Sequence, residues 1–236
     1  VPMDRAPVSN IPGERTAIYQ KNIAIPEPVC RNRFKQEYLT EDAKNSPDII
    51  EIIKNAEYGF PTPPQIGKKN IQIGGCVRWA GASVDSKNNI LYVSIDQNPD
   101  VIVVTEDEKN KFSYTHRWEL FVDQNGYPGV KPPWGSVVAL SLNTGKILWK
   151  VPFGEIEELK KKGYKTTGTF NRSGLTATSA NIIFASGTLD KKIRAFDSVS
   201  GKEIWNKDLP SPGSSPPTIY RVNGKDYVLI SAYESG

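Results

Sequence analysis

Gly187-Thr188-Leu189-Asp190-Lys191-Lys192-Ile193-Arg194-Ala195-Phe196-Asp197-Ser198-Val199-Ser200-Gly201-Lys202-Glu203-Ile204-Trp205 reads as a strand, a turn through Ser198 to Gly201, and a second strand that sets a tryptophan four residues past the glycine. The same grammar occurs earlier, in Ala139-Leu140-Ser141-Leu142-Asn143-Thr144-Gly145-Lys146-Ile147-Leu148-Trp149. Both copies carry Ala at the first place, Gly-Lys at the seventh and eighth, and Trp at the eleventh. Recurrence of this kind implies repeated sheet modules rather than one continuous core. Each residue type has a physical task. Ala lets two sheets approach closely, Gly relieves the turn of its Cβ penalty, and an indole buries on the order of 200 Å2 against a neighbouring module. Such a device staples one propeller blade to the next.

The rest of the chain agrees with a strand-rich protein. At 236 residues there is material for one or two domains, and 24% charged with 38% hydrophobic residues is ordinary for a soluble protein. No run approaches the roughly 18 apolar residues of a membrane-spanning helix. The net charge is +4, with basic residues scattered apart from Lys160 to Lys162, so no nucleic-acid face is expected. Val1-Pro2-Met3-Asp4 is neither an initiator methionine nor a signal peptide, and the chain reads as part of something longer. Cys30 and Cys76 either pair, given an oxidising compartment and facing Cβ atoms, or remain two thiols.

Prolines 2, 7, 12, 26 and 28 suggest an extended segment lying over a surface. Ser46-Pro47-Asp48 followed by Ile49, Ile50, Ile52, Ile53 and Ala56 predicts a short amphipathic helix within a helical insertion at 40–60. Ala82 to Asp85 and Ile90 to Ile95 flank an asparagine-bearing turn and predict a hairpin. Val101 to Thr105 is a further strand, and the acidic cluster Glu106, Asp107 and Glu108 reads as a solvated polar loop, with a calcium contact as the alternative. Acid-first, lysine-last Glu155 to Lys162 predicts one or two helical turns stopped by Gly163. Strands follow at Leu175 to Thr178, Ile182 to Gly187 and Lys192 to Phe196, and Asn223-Gly224 signals a tight hairpin between Thr218 to Val222 and Lys225 to Ala232. Four strands per blade give roughly four blades.

The motif resembles the tryptophan-docking motif of the pyrroloquinoline-quinone (PQQ) dehydrogenases. The whole chain is similar to the C-terminal half of the membrane-type glucose/quinate group of that family. Val29-Cys30-Arg31, Thr62-Pro63-Pro64, Trp79-Ala80-Gly81, Val84-Asp85, Pro132-Pro133-Trp134-Gly135, Gly168-Thr169-Phe170-Asn171-Arg172-Ser173-Gly174 and Asn223-Gly224-Lys225-Asp226-Tyr227-Val228 carry the resemblance in family order. It implies an all-β propeller spanning 1–236, about half of an eight-bladed ring, whose flanks need the missing N-terminal half of the propeller. By the same resemblance the cofactors are PQQ and calcium. The substrate is a small-molecule sugar or polyol, the electron acceptor is a quinone, and the location is periplasmic, with a membrane anchor in the missing N-terminal region.

PQQ is a flat quinone bearing carboxylates, so its site needs a stacking face, cationic or amide donors and oxygen ligands for calcium. Cofactor-binding candidates are Asp190 in Gly187-Thr188-Leu189-Asp190, Asn171 and Arg172 as carboxylate donors, and Trp134 as a stacking wall. The bland alternatives are a turn carboxylate, a structural loop and a core tryptophan. The catalytic Asp and a quinone-contacting Lys are expected upstream of Val1, so none is assigned here. Trp149 and Trp205 are docking tryptophans, and His116 is a surface residue. Arg78 and Ser235 depart from the family pattern, which places Asn or an acid before the tryptophan and, in glucose-type members, a histidine near the substrate. Two other functions compete: a propeller scaffold that has lost its cofactor, and a lectin-like propeller binding polysaccharide.

Overall fold

A computed structural model describes residues 3–5, 9–14, 19–21, 27–31, 33–58, 62–73, 76–77, 80–107, 109, 114–164 and 166–233. Arg78, Trp79, Glu108 and Ser235, named above, lie outside the described residues. In chain order the strands begin with β1 (Met3–Arg5), β2 (Tyr19–Lys21), β3 (Ala56–Tyr58), β4 (Lys69–Ile73), β5 (Ser83–Asp85), β6 (Ile90–Asp96), β7 (Pro99–Glu106) and β8 (Tyr114–Leu120). They continue with β9 (Gly135–Ser141), β10 (Ile147–Pro152), β11 (Leu175–Ala177), β12 (Ile182–Ala185), β13 (Lys192–Asp197), β14 (Glu203–Asp208), β15 (Thr218–Val222) and β16 (Lys225–Leu229). Among the described residues the α-helices are α1 (Glu41–Lys44), α2 (Pro47–Lys54) and α3 (Glu157–Lys161), with a single 3-10 turn at Gln36–Tyr38. The chain divides into two compact units: 1–24, 31–74 and 98–131 form one, and 25–30, 75–97 and 132–236 the other.

The first unit holds the expected helix. Pro47 begins α2, and its spacing buries Ile49 and Ile52, as the isoleucine period demands. Ser46 stands at the cap position without a side-chain cap bond, whereas Thr40 does cap α1 by accepting from the Ala43 amide at 3.0 Å. Phe34 meets Phe121 and Tyr58 edge-on at 5.2 and 5.3 Å, in a core with Ile71, Val101 and Val130. The sheet here runs β3-β4-β7-β8, with β3 parallel to β4. Of the roughly four four-stranded blades expected, the described residues form three four-stranded sheets, and this one mixes distant strands. β7 and β8 leave the chain between β6 and β9 and pair with β4 instead, so this sheet is not built from consecutive strands. The extended reading of the N-terminal segment also gains a ladder, since Met3 to Arg5 pair with Tyr19 to Lys21.

The second unit is propeller-like. Two antiparallel four-stranded sheets, β10-β9-β6-β5 and β11-β12-β13-β14, are followed by the hairpin β15-β16. Their facing sides enclose Tyr92, Val137, Ala139, Phe153, Leu175, Ile183, Ala185 and Phe196, with Trp149 packed against them. Strand alternation sends Val93, Ile95, Val138 and Leu140 to the other face of the first sheet, where Val29 and the Cys30–Cys76 disulfide cover them. The cysteines are therefore paired, and the covering segment is pinned by Lys150 Nζ donating to the Val29 carbonyl at 2.8 Å.

Both copies of the repeated motif adopt one geometry. Ala139 opposes Trp149 and Ala195 opposes Trp205, each beside a register shift that turns the preceding Leu148 or Ile204 outward. Gly145 and Gly201 close the two turns at φ +69° and +72°. Asn223 and Gly224 close the last hairpin at φ 50° and 76°, the left-handed pair that a two-residue turn needs.

Candidate functional site

Within the second unit the turns alternate ends. Turns 86–89, 142–146, 178–181 and 198–202 lie at one end of the strands, and connections 153–174, 186–191 and 209–217 at the other. All four candidate site residues fall at this second end. The backbone there is crowded into contact: a Cβ on Gly135 would meet the Thr169 carbonyl oxygen at 2.0 Å, and one on Gly168 would meet that of Gly135 at 2.2 Å.

The structure brings the four residues to the same end but exposes one of them. Trp134 is buried, its amide donating to Thr167 O at 2.8 Å and its carbonyl accepting from the Gln97 amide at 2.8 Å. Asn171 is fully enclosed and donates from Nδ2 to the Ile95 carbonyl at 2.9 Å, while its Oδ1 is buried with no partner. Arg172 is exposed, with its guanidinium over the Phe170 ring at 5.3 Å and its amide bonded to Gly187 O at 3.1 Å. Asp190 lies in the turn between β12 and β13 and is almost wholly committed. Its Oδ1 accepts from Thr188 Oγ1 at 2.6 Å and Arg194 Nη1 at 3.1 Å, and its Oδ2 from Arg194 Nη2 and from the Glu155 amide at 3.0 Å.

Arg194 is the residue that sequence reasoning passed over. Its side chain is 6% exposed and that of Asp190 8%, and its Nε also donates to Glu203 Oε2 at 3.0 Å. Burial by itself lowers the Arg194 pKa, but bonds to and charges on Asp190 and Glu203 outweigh it and raise the guanidinium above its ordinary value. The sequence signal was present: β13 alternates, and a charged residue on the face that also carries Phe196 demands a partner.

Two tests bear on the cofactor. For a quinone bearing carboxylates, Arg172 supplies an accessible cation, whereas Asn171 does not act as the expected carboxylate donor: its Nδ2 is spent on the Ile95 carbonyl, and its partnerless Oδ1 is an acceptor that a carboxylate does not pair with. For calcium, no cluster of three or more His, Cys, Asp or Glu occurs among the described residues, and Asp190 is spent on Arg194, so these residues do not fit a calcium site. At the opposite end of the strands, a cleft of about 320 Å3 is lined by Asp85, Lys87, Asn88, Thr178, Ser179 and Asn181. Asp85 there is occupied by the Lys87 and Asn88 amides. His116 is exposed on β8, as expected of a surface residue.

Comparison with known proteins gives the same fold and a family. The model of the PQQ glucose/ethanol/alcohol dehydrogenase beta-propeller domain matches residues 1–228. The quinoprotein glucose dehydrogenase of Escherichia coli (strain K12) is 33% identical over 117 residues, covering 48% of this chain and 15% of that protein. A probable quinate dehydrogenase (quinone) of Xanthomonas campestris pv. juglandis is 36% identical over 119 residues, again 48% of this chain and 15% of the relative. The chain thus matches only a small part of the length of these relatives. The quinohemoprotein alcohol dehydrogenase of Comamonas testosteroni aligns at a TM-score of 0.50 and 17% identity, over 70% of this chain and 24% of the other, which speaks for the fold alone. No helix among the described residues is long and apolar enough to cross a membrane. With a family model spanning nearly its whole length, the chain belongs to the PQQ-dependent glucose/ethanol/alcohol dehydrogenases, as part of their β-propeller domain.

Proposed function

We propose that this chain is part of an oxidoreductase that oxidises a hydroxyl of a sugar or polyol and passes the electrons to a quinone acceptor. The observation that supports it best is the exposed Arg172, standing beside buried Asn171 and the glycine-tight crossings at Gly135 and Gly168, at the end of two docked propeller sheets. Relatives named for glucose and for quinate both act, by their names, on polyhydroxylated rings, and one name specifies a quinone. PQQ, when bound, supplies the two-electron acceptor. This chain's own part is binding and orientation. Arg172 pairs with a cofactor carboxylate, Asn171 ties its loop to the backbone at Ile95, and buried Trp134 ties the start of β9 to Thr167 and Gln97 through its backbone. No proton-abstracting base is assigned here, because Asp190 is neutralised by Arg194, and no step runs through calcium.

The disulfide supports a periplasmic location, since such bonds persist in oxidising compartments. The test is titration of the chain with PQQ, followed by cofactor absorbance. Saturable binding that Arg172→Ala weakens by about tenfold supports the reading, and in the full-length protein dye-coupled oxidation of a polyol should fall with it. The enclosure of Trp134 and Asn171 favours a second reading, a cofactor-free propeller serving as a scaffold. Absence of PQQ binding by the full-length protein would select it.

A further inference from the structure

We propose that Asp190 and Arg194 form a latch across the seam between the two sheets, and that Asp190 acts on the cofactor only by holding the loop that presents Arg172. This rests on the reading of Arg172 given above. The geometry is one of closure. Arg194 sits on the face of β13 that meets the first sheet, with its guanidinium 6.0 Å from the centre of the Phe153 ring. It binds Asp190 through two nitrogens, and the carboxylate reaches across to the Glu155 amide, where the chain has just left β10. Every lone-pair direction of that carboxylate has a donor, so none remains for a ligand.

From Glu155 the same zipper continues to Arg172. The Ile156 amide donates to Thr167 Oγ1 at 3.1 Å, the Leu189 amide to Thr169 Oγ1 at 3.1 Å, and the Arg172 amide to Gly187 O at 3.1 Å. Gly154, at φ +85°, lies so close that an added Cβ would stand 2.5 Å from Thr169 Oγ1 and 2.9 Å from the Thr188 Cβ. The connection 153–172 and the turn 186–191 are thus laced together from the latch to the exposed cation. Lys in place of Arg194 keeps the charge but cannot serve Thr188, Asp190 and Glu203 at once, because an ammonium lacks the planar fork.

Hydrogen exchange and PQQ titration together decide the matter. In Asp190→Ala and in Arg194→Lys, the Glu155 and Arg172 amides should exchange at least about tenfold faster while the Phe196 and Ala185 amides stay protected. Asp190→Ala should weaken PQQ binding about tenfold in the native background but less than about twofold beside Arg172→Ala, since residues that act through one another are not additive. Unchanged exchange at Arg172 in both variants would overturn the latch. Additive losses would overturn it as well, by showing that Asp190 touches the cofactor itself. Should the native chain bind no PQQ, the functional reading fails while the exchange result still decides the latch. Arg194→Lys serves in place of Asp190→Ala if the latter does not fold.

Discussion

Trp149 and Trp205 occupy the same place in the same eleven-residue motif, face the same way from their sheets and oppose the same residue, alanine, yet they have different fates. Trp149 lies against the turn of the second copy: its indole Nε1 donates to Ser198 O at 3.0 Å, and its ring sits where a Cβ on Gly201 would be 2.6 Å from Cε3. Tyr92 joins it, its ring 5.9 Å away and its hydroxyl donating to the same carbonyl. Trp205 is 47% exposed. A local pattern therefore specifies an indole aimed at a neighbour, and the stability it returns depends on whether a glycine turn of the next sheet receives it.

Substitutions should separate the two positions by size of effect. Trp149→Ala should cost about 3–5 kcal/mol in denaturant unfolding, because it empties a packed seam, whereas Trp205→Ala should cost less than about 1 kcal/mol. Equal costs would break the contrast. Gly201→Ala should destabilise by about 3 kcal/mol, combining a left-handed backbone with intrusion into the Trp149 ring. Gly224→Ala is the control, with similar φ and nothing within 4 Å of the added carbon. It should cost about 1 kcal/mol, so the difference in Tm between these variants isolates the docking contact.

The smallest effect concerns the turns themselves. The Ser200 hydroxyl and amide hold the Asp197 carboxyl below its ordinary 3.8, while the first copy has Ser141 at that place and no charge to titrate. A carboxyl with a depressed folded pKa adds stability above 3.8 and loses it as pH falls through the lower folded value. Acid unfolding followed by circular dichroism should accordingly lose a little of its pH dependence below 3.8 in Asp197→Ser. An unchanged profile would show that the two turns are equivalent after all.

The repeat was legible in sequence because everything in it is local: alternation, a glycine at positive φ, and an indole at fixed spacing. Residues whose partners are distant were not legible. Tyr114 to Leu120 form β8 although Thr115, His116, Arg117, Trp118 and Leu120 are exposed, so neither face shows an apolar period. The departure of β7 and β8 from the first propeller sheet likewise depends on pairing with β4, which no short window records. At the candidate site, residue types picked out positions that the fold gathers at one end of the strands, but they did not reveal accessibility. Asn171 and Trp134 are enclosed because Gly135, Gly168 and Gly174 let backbones close over that region, and Asp190 is silenced by an arginine four residues away.

Proton exchange at the tryptophan indoles, resolved by 15N labelling and assigned by single substitution, gives the most direct reading of the docked seam. The Trp149 Nε1 proton should exchange slowly, protected by the Ser198 carbonyl and the sheet behind it, and that of Trp205 at close to the rate of a free indole. Fast exchange at Trp149 would mean that the two sheets are not clasped there and that the propeller arrangement is wrong.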